Sequence, residues 1–161
     1  MKTVNMIKQA LTISVLAVAL SACAQKVQDG AMSSASATQN AGNIGSAQYL
    51  ATNVLDRVFF DIDQSTLDAS SMDVLRGQAA WLKRNSRVAI VVEGHADERG
   101  TRDYNLALGA RRASAVRDAL ISMGASPEQV STLSYGKERP VSVCSENRCW
   151  SKNRRAVSVI R

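Results

Sequence analysis

Residues 93–113 of the chain read EGHADERGTRDYNLALGARRA, and this stretch combines the end of a strand, a loop and the start of a long helix. It follows an apolar run at residues 88–92 that predicts a strand buried on both faces. Thr101 is a suitable helix N-cap, and Gly124 suits the position just past a helix C-terminus. We therefore predict a buried strand, a loop that carries Asp97, and a helix that ends before Gly124.

The small and apolar side chains of this helix recur at intervals of three and four, which predicts its buried face. They are Leu106, Gly109, Ala113, Val116, Leu120 and Met123. At about 100° per residue, Arg112 borders this stripe and Arg111 points to solvent. Leu108 lies one turn before Arg112 on the same side of the helix.

The flanking sequence predicts the rest of a small α/β domain. Residues 57–60 are β-branched and aromatic, as in a strand, and residues 72–82 show helical spacing after the candidate caps Asp68 and Ser70. A short helical turn is expected at residues 126–129, and strands at residues 132–135 and 155–160. The order is β-α-β-α-β-β, an α+β two-layer sandwich with a mixed sheet and helices on one face. The right-handed crossover rule favours parallel pairing of the first strands.

The N-terminal residues predict export and a lipid anchor. Lys2 and Lys8 precede an apolar stretch too short for a bilayer, which needs about 20 residues, so residues 1–22 match a cleaved signal peptide. The sequence LSAC at residues 20–23 resembles a bacterial lipobox, in which the Cys23 thiol receives a lipid. The alternative is an ordinary signal with a chance cysteine. Residue 24 is Ala rather than Asp, and in this respect the chain resembles Gram-negative lipoproteins that are sorted to the outer membrane.

Composition and charge define the organisation of the remaining chain. The 161 residues include 20 Lys and Arg against 14 Asp and Glu, and removal of residues 1–22 leaves 18 basic residues against 14 acidic ones. This small excess of basic residues is typical of ordinary protein surfaces, so we expect no nucleic-acid partner. Residues 23–48 contain few large apolar side chains after Cys23, which predicts a lipidated flexible tether leading to a domain at residues 49–161.

The three cysteines of the chain constrain its redox and metal chemistry. If Cys23 carries lipid, Cys144 and Cys149 are free to form a disulfide that closes a short surface loop in an oxidising compartment. Two free or metal-bound thiols are the alternative. A closed zinc site needs four ligands and His95 is the only histidine, so we expect His95 to be structural and no metal or cofactor to be bound.

Hydrolysis of a polymer would require a nucleophile with its base, a metal triad, or paired carboxylates across a cleft. Asp97 and Glu98 are adjacent, but nothing in the sequence positions a second group on the far side of a bond. We therefore expect no catalytic residue and no enzyme activity.

Three segments carry a resemblance to a known family. HADERG at residues 95–100, YGKERP at 135–140 and SKNRRAVSVI at 151–160 resemble the OmpA-like peptidoglycan-binding domain, over about residues 57–161. The resemblance implies noncovalent binding of the diaminopimelate residue of the peptidoglycan stem peptide. Together with the lipobox it implies an outer-membrane lipoprotein that faces the periplasm. It also implies TolB and other components of the Tol-Pal envelope system as partners.

The family motif implies a site for a ligand that carries both charges. A carboxylate at Asp97 suits an ammonium group, the planar fork of Arg112 suits a carboxylate, and Leu108 suits the aliphatic chain between them. Without the motif, the favoured interpretations would be a helix-dipole or turn carboxylate for Asp97 and a surface ion-pair partner for Arg112. The alternative functions are a peptidoglycan-processing enzyme and another wall-binding module of stator or porin type. The remaining predicted site residues are Asp63, Arg99, Asn153 and Arg154.

Overall fold

The computed structural model describes residues 45–161, so the predicted signal peptide, Cys23 and most of the predicted tether lie outside the described residues. A short helix, α1, spans Ala47–Tyr49 and continues as a π-helical segment at Leu50–Val54. The elements that follow are β1 (Arg57–Phe59), α2 (Ala69–Arg84), β2 (Ile90–His95), α3 (Arg102–Ser122), a 3₁₀ turn (Pro127–Gln129), β3 (Val130–Gly136), α4 (Asn147–Asn153) and β4 (Arg155–Ile160). Across residues 45–161, every helix is too short or too polar to cross a membrane.

The four strands form one mixed sheet in the order β1-β4-β2-β3. Strand β4 pairs antiparallel with both β1 and β2, and β2 pairs parallel with β3. The predicted fold class is therefore confirmed, but the predicted pairing of the first strands is wrong because β4 lies between them. The crossover rule fixes the handedness of a connection and does not prevent a later strand from inserting. Strand β1 has three residues, of which only Val58 is buried, as suits an edge.

Side-chain caps begin both long helices where the sequence predicts. The Asp68 carboxylate accepts from the Ser71 amide at 2.7 Å ahead of α2, and the Thr101 hydroxyl accepts from the Tyr104 amide at 3.3 Å ahead of α3. These caps satisfy amides that have no partner inside a helix. The two helices pack on the same face of the sheet, and the core between the layers includes Val58, Leu75, Trp81, Leu82, Ile90, Val92, Val116 and Leu120.

The buried face of α3 matches the predicted one at Gly109, Ala113, Val116 and Leu120 but differs in the first turns of the helix. Leu106 is 43% exposed, whereas Asn105 and Arg112 are buried, so the placement of Leu106 on the inner face is wrong. Gly109 lies against β2, since a methyl group built on Gly94 would collide with the backbone of Gly109. This close approach fixes which side of α3 faces the sheet, and backbone carbonyls then satisfy the two buried polar side chains.

The predicted disulfide is present, with the Cα atoms of Cys144 and Cys149 5.6 Å apart. The segment is not a simple surface loop, since Cys149 is buried within helix α4. Helix α4 has seven residues and no side-chain N-cap hydrogen bond, so it has neither the length nor the cap that makes a helix recognisable in a sequence.

Candidate functional site

A cleft of about 280 Å³ opens beside the C-terminal end of β2, between the loop after β1 and the first half of α3. Polar groups at the carboxyl ends of strands are well placed to meet a ligand. The cleft is lined by six of the predicted site residues, namely Asp63, Asp97, Arg99, Leu108, Arg112 and Arg154. Ile62, Gly100, Tyr104 and Asn105 complete it.

Asp97 is held in the cleft by two arginines. Its carboxylate accepts hydrogen bonds from Arg99 Nε at 3.1 Å and Arg99 Nη2 at 2.6 Å. Arg154 Nη1 lies 3.4 Å from the second carboxylate oxygen. Burial alone would raise the pKa of Asp97, but the bonds from Arg99 and Arg154 outweigh it and lower this pKa below its usual range. Asp97 therefore remains a carboxylate at neutral and mildly acidic pH.

Arg112 is completely buried and donates to three carbonyls from two segments of backbone. Its Nε donates to the Gln64 carbonyl at 2.8 Å, Nη1 to the His95 carbonyl at 2.8 Å, and Nη2 to the Asp61 carbonyl at 3.1 Å. Burial and the charge of Arg154 lower the pKa of Arg112 to about 10, which keeps it cationic at neutral pH. A guanidinium has five N–H groups, so one on Nη1 and one on Nη2 are not used by these bonds.

Two further charged residues define the walls of the cleft. Arg154 is 5% exposed and its Nε donates to the Phe60 carbonyl at 3.0 Å, which fixes the side chain beside Asp97. Asp63 has a φ of 58°, a left-handed conformation that Asp tolerates better than most residues. The Tyr104 hydroxyl donates to its carboxylate. Asp63 is thereby fixed in the same cleft as Asp97.

Hydrogen bonds from three other elements hold the loop that carries Asp97. The Ala96 amide donates to the Gly136 carbonyl at 2.8 Å, and Asn105 Nδ2 of α3 donates to the Arg99 carbonyl at 2.7 Å. Lys137 Nζ donates to the Gly100 carbonyl at 2.7 Å. The loop is therefore preorganised by the fold, which lowers the entropic cost of binding a ligand.

Two residues singled out in the sequence lie outside the cleft. Asn153 accepts from the amides of Val141 and Ser142 at 2.9 and 3.1 Å, so its amide orders the loop before α4. His95 is 2% exposed, and neither ring nitrogen has a hydrogen-bond partner among residues 45–161. Burial, with the charges of Arg155 and Arg139, lowers the pKa of His95 to about 4, although Glu93 lies 3.8 Å away.

Several residues of the site were not identified from the sequence. Asn105 carries a usable signal, because a polar residue on the same helical face as Leu108 needs a buried partner. Tyr104 and Gly100 belong to the quoted stretch, but nothing in their spacing marks them as cleft residues. In the described part of the chain, no group of three or more His, Cys, Asp or Glu side chains is arranged to hold a metal ion.

The charges of the cleft are mixed. Two carboxylates and three guanidinium groups line a small space together with Leu108. Such a surface is complementary to a ligand that carries an ammonium and a carboxylate close together on an aliphatic chain.

Comparison with known proteins identifies the class to which this fold and cleft belong. Residues 59–155 match the model of the OmpA family, and the chain belongs to that family.

The relatives that match most of the domain share one name. The chain is 58% identical over 116 residues to the peptidoglycan-associated lipoprotein of Mesorhizobium japonicum, covering 72% of this chain and 69% of that protein. It is 51% identical over 150 residues to the peptidoglycan-associated lipoprotein of Agrobacterium fabrum, covering 90% and 83%. The crystal structure of the peptidoglycan-associated lipoprotein from Burkholderia pseudomallei matches with a TM-score of 0.67 and 38% identity, covering 69% of this chain and 96% of that one.

Proposed function

We propose that this chain is a lipid-anchored protein of the outer membrane that binds peptidoglycan noncovalently and tethers that membrane to the cell wall. The observation that carries the proposal is the meeting of Asp97 with Arg99, Arg112 and Arg154 in one preorganised cleft. The name shared by the relatives supports the same polymer as the ligand.

The ligand group is the side chain of diaminopimelate in the stem peptide. Its free end carries an ammonium and a carboxylate on one carbon, joined by methylene groups to the peptide. The ammonium donates to Asp97, and the carboxylate accepts from guanidinium groups of the cleft, while Leu108 contacts the methylenes. Hydrogen bonds between charged groups are roughly twice as strong as neutral ones, so both charges contribute to recognition.

Binding requires Asp97 to exchange one donor for another. Arg99 is the donor best able to move, because its side chain is 39% exposed whereas that of Arg154 is 7% exposed. When the ligand ammonium reaches Asp97, Arg99 turns from Asp97 towards the ligand carboxylate. The exchange keeps every charge paired, which avoids the penalty of an unpaired buried ion.

The activity is reversible binding without cleavage of a bond. Asp97 and Asp63 are held by hydrogen bonds from Arg99 and Tyr104, respectively, so neither is arranged as a free general acid. The depressed pKa of Asp97 also opposes proton donation at neutral pH.

The first described residue and the cleft lie at opposite ends of β2. Gly45, where the described residues begin, lies beside Asn85 and Val88, ahead of β2, whereas Asp97 follows β2. A tether from a lipidated Cys23 therefore enters at the end of the sheet opposite the cleft. A flexible tether attached at that end leaves the cleft free to meet the wall. The surface around the cleft is also the proposed contact for TolB and other Tol-Pal partners, which the family resemblance implies.

Co-sedimentation of the full-length chain with purified sacculi tests the proposal. Asp97→Asn removes the charge with little change of shape, and we expect at least about a thirtyfold loss of affinity, the lower end of the range for truncating one partner of a buried charge pair. Arg111→Ala is the matched control, because Arg111 is an exposed arginine beside Arg112 in the same helix. Equal sedimentation of Asp97→Asn and wild type would contradict the assignment. Release of soluble wall fragments would instead indicate a hydrolase.

A further inference from the structure

A tryptophan outside the predicted site, Trp150 of α4, contacts the loop that carries Asp97. The ζ carbon of Arg99 lies 4.2 Å from the centroid of the Trp150 ring. The indole N–H donates to the Glu98 carboxylate at 3.1 Å. Trp150 is not among the lining residues of the cleft, so its influence on a ligand has to pass through these neighbours.

Arg99 is the neighbour through which Trp150 can affect the ligand. Its guanidinium donates to Asp97 from Nε and Nη2, and the indole ring contacts the guanidinium at the same time. A free arginine side chain samples many rotamers, and stacking on an aromatic face restricts the plane of its fork. Trp150 therefore limits the positions from which Arg99 can donate hydrogen bonds to Asp97 or to a ligand carboxylate.

A disulfide and the hydrogen bonds of Asn153 connect helix α4 to the loop that precedes it. The Cys144–Cys149 disulfide joins its first half to the preceding loop. Asn153, its last residue, accepts from the Val141 amide at 2.9 Å and donates to the Ser142 carbonyl at 2.8 Å. A seven-residue helix is not stable by itself. The disulfide and these hydrogen bonds therefore stabilise the helix that carries Trp150.

The disulfide-bridged segment makes a second contact with the same loop. The pKa of Glu98 is lowered by hydrogen bonds from Ser145, which lies between the two cysteines, and from Trp150. Ser145, inside the bridged segment, and Trp150, directly after it, thus both contact Glu98. This convergence indicates that the segment supports the binding loop.

We propose that Trp150 is a positioning residue for ligand binding, held by the disulfide-bridged helix α4 and acting through Arg99. The inference rests on the proposed function, since Arg99 is one of the groups assigned to the ligand carboxylate. It gives Asn153 and the disulfide a role in recognition although none of these groups lines the cleft.

The test is a double-mutant cycle on the full-length chain, with binding of a soluble diaminopimelate-containing stem peptide measured by calorimetry. We expect Trp150→Ala to weaken binding about threefold to tenfold, the range of a cation–π contact. Trp150→Phe keeps an aromatic face and should stay within about twofold of wild type. In an Arg99→Ala background, Trp150→Ala should cause no further loss. The double variant with Cys144→Ser and Cys149→Ser should show the same pattern, with weaker binding in the wild-type background and no further loss in the Arg99→Ala background.

The cycle separates positioning from a general loss of structure. Wild-type affinity of Trp150→Ala, or the same loss in both backgrounds, would overturn the inference. Its failure is distinguishable from failure of the proposed function by Asp97→Asn. If Asp97→Asn loses binding and Trp150→Ala does not, only the role of Trp150 is wrong. If Asp97→Asn binds as wild type, the cleft itself is misassigned.

Discussion

At the scale of single residues, the cleft depends on polar side chains that also hold the fold together. Arg112 is the main example, because a group assigned to the ligand also donates to three backbone carbonyls from two segments. Asp97 differs, since its partners are side chains and one local amide. Variants of Asp97 therefore report on binding more cleanly than variants of Arg112.

Arg112→Ala should lower the free energy of unfolding by at least about 3 kcal/mol. Three carbonyls lose their donor, and each unsatisfied buried group costs about 1–3 kcal/mol. Urea denaturation measures the loss, and Arg111→Ala should stay within about 0.5 kcal/mol of wild type. Similar stabilities of the two variants would show that water replaces Arg112 at little cost.

His95 should make stability fall on mild acidification. Its pKa is about 4 in the folded chain, below its ordinary 6.5, so the unfolded state binds the extra proton between these values. Stability from this source is complete above pH 6.5 and is lost as the pH falls towards 4. We expect a loss of about 2 kcal/mol between pH 7.5 and pH 5 in urea denaturation. His95→Phe should remove most of this slope; equal slopes for both proteins would contradict the buried neutral imidazole.

At the scale of elements, the packing of α3 on β2 depends on two glycines in contact. A methyl group on Gly109 would collide with the Ser134 hydroxyl and approach the Gly94 carbonyl at 2.9 Å. The close approach places Arg112 within reach of the His95 carbonyl. The fit of this helix to the sheet therefore sets the geometry of the cleft.

Gly109→Ala should destabilise the fold by about 1–3 kcal/mol, as overpacking in a dense core does, despite the better helix propensity of alanine. Gly77→Ala in α2 is the matched control, because its methyl group would meet Val54 at an ordinary 3.7 Å. That control should be neutral or stabilising by up to about 1 kcal/mol. Thermal unfolding of both variants checks the contrast, and equal effects would contradict it.

The elements show which parts of the fold a sequence reveals. The caps Asp68 and Thr101 and the terminal Gly124 act within a few residues of the helices they bound, so local pattern predicts α2 and α3 well. The insertion of β4 between β1 and β2 depends on contacts far apart in the chain, which no local pattern records.

The same distinction applies to the candidate site. The family motif leads to Asp97, Leu108 and Arg112, which the structure brings to one cleft. It does not reveal Trp150, which lies 52 residues from Glu98 along the chain and meets it only in the folded domain. Nor does it reveal that Arg112 is fully buried, because that depends on carbonyls contributed by other segments.

At the scale of the whole molecule, the proposed attachment point and the proposed recognition site lie apart. The described domain begins beside Asn85 and Val88, at the end of β2 opposite Asp97. A lipid at Cys23 and a wall polymer in the cleft would thus pull on opposite ends of one small sheet. Specific binding requires that the cleft distinguish its ligand by both charges, since one charge alone would be met by many exposed surface groups.

The most direct test of this requirement is calorimetric titration of the full-length chain with two soluble stem peptides. One contains diaminopimelate, and the other contains lysine at the same position, which keeps the ammonium and lacks the neighbouring carboxylate. We predict that the lysine peptide binds at least about tenfold more weakly, because guanidinium groups of the cleft are left without their partner. Equal affinity for the two peptides would contradict the account.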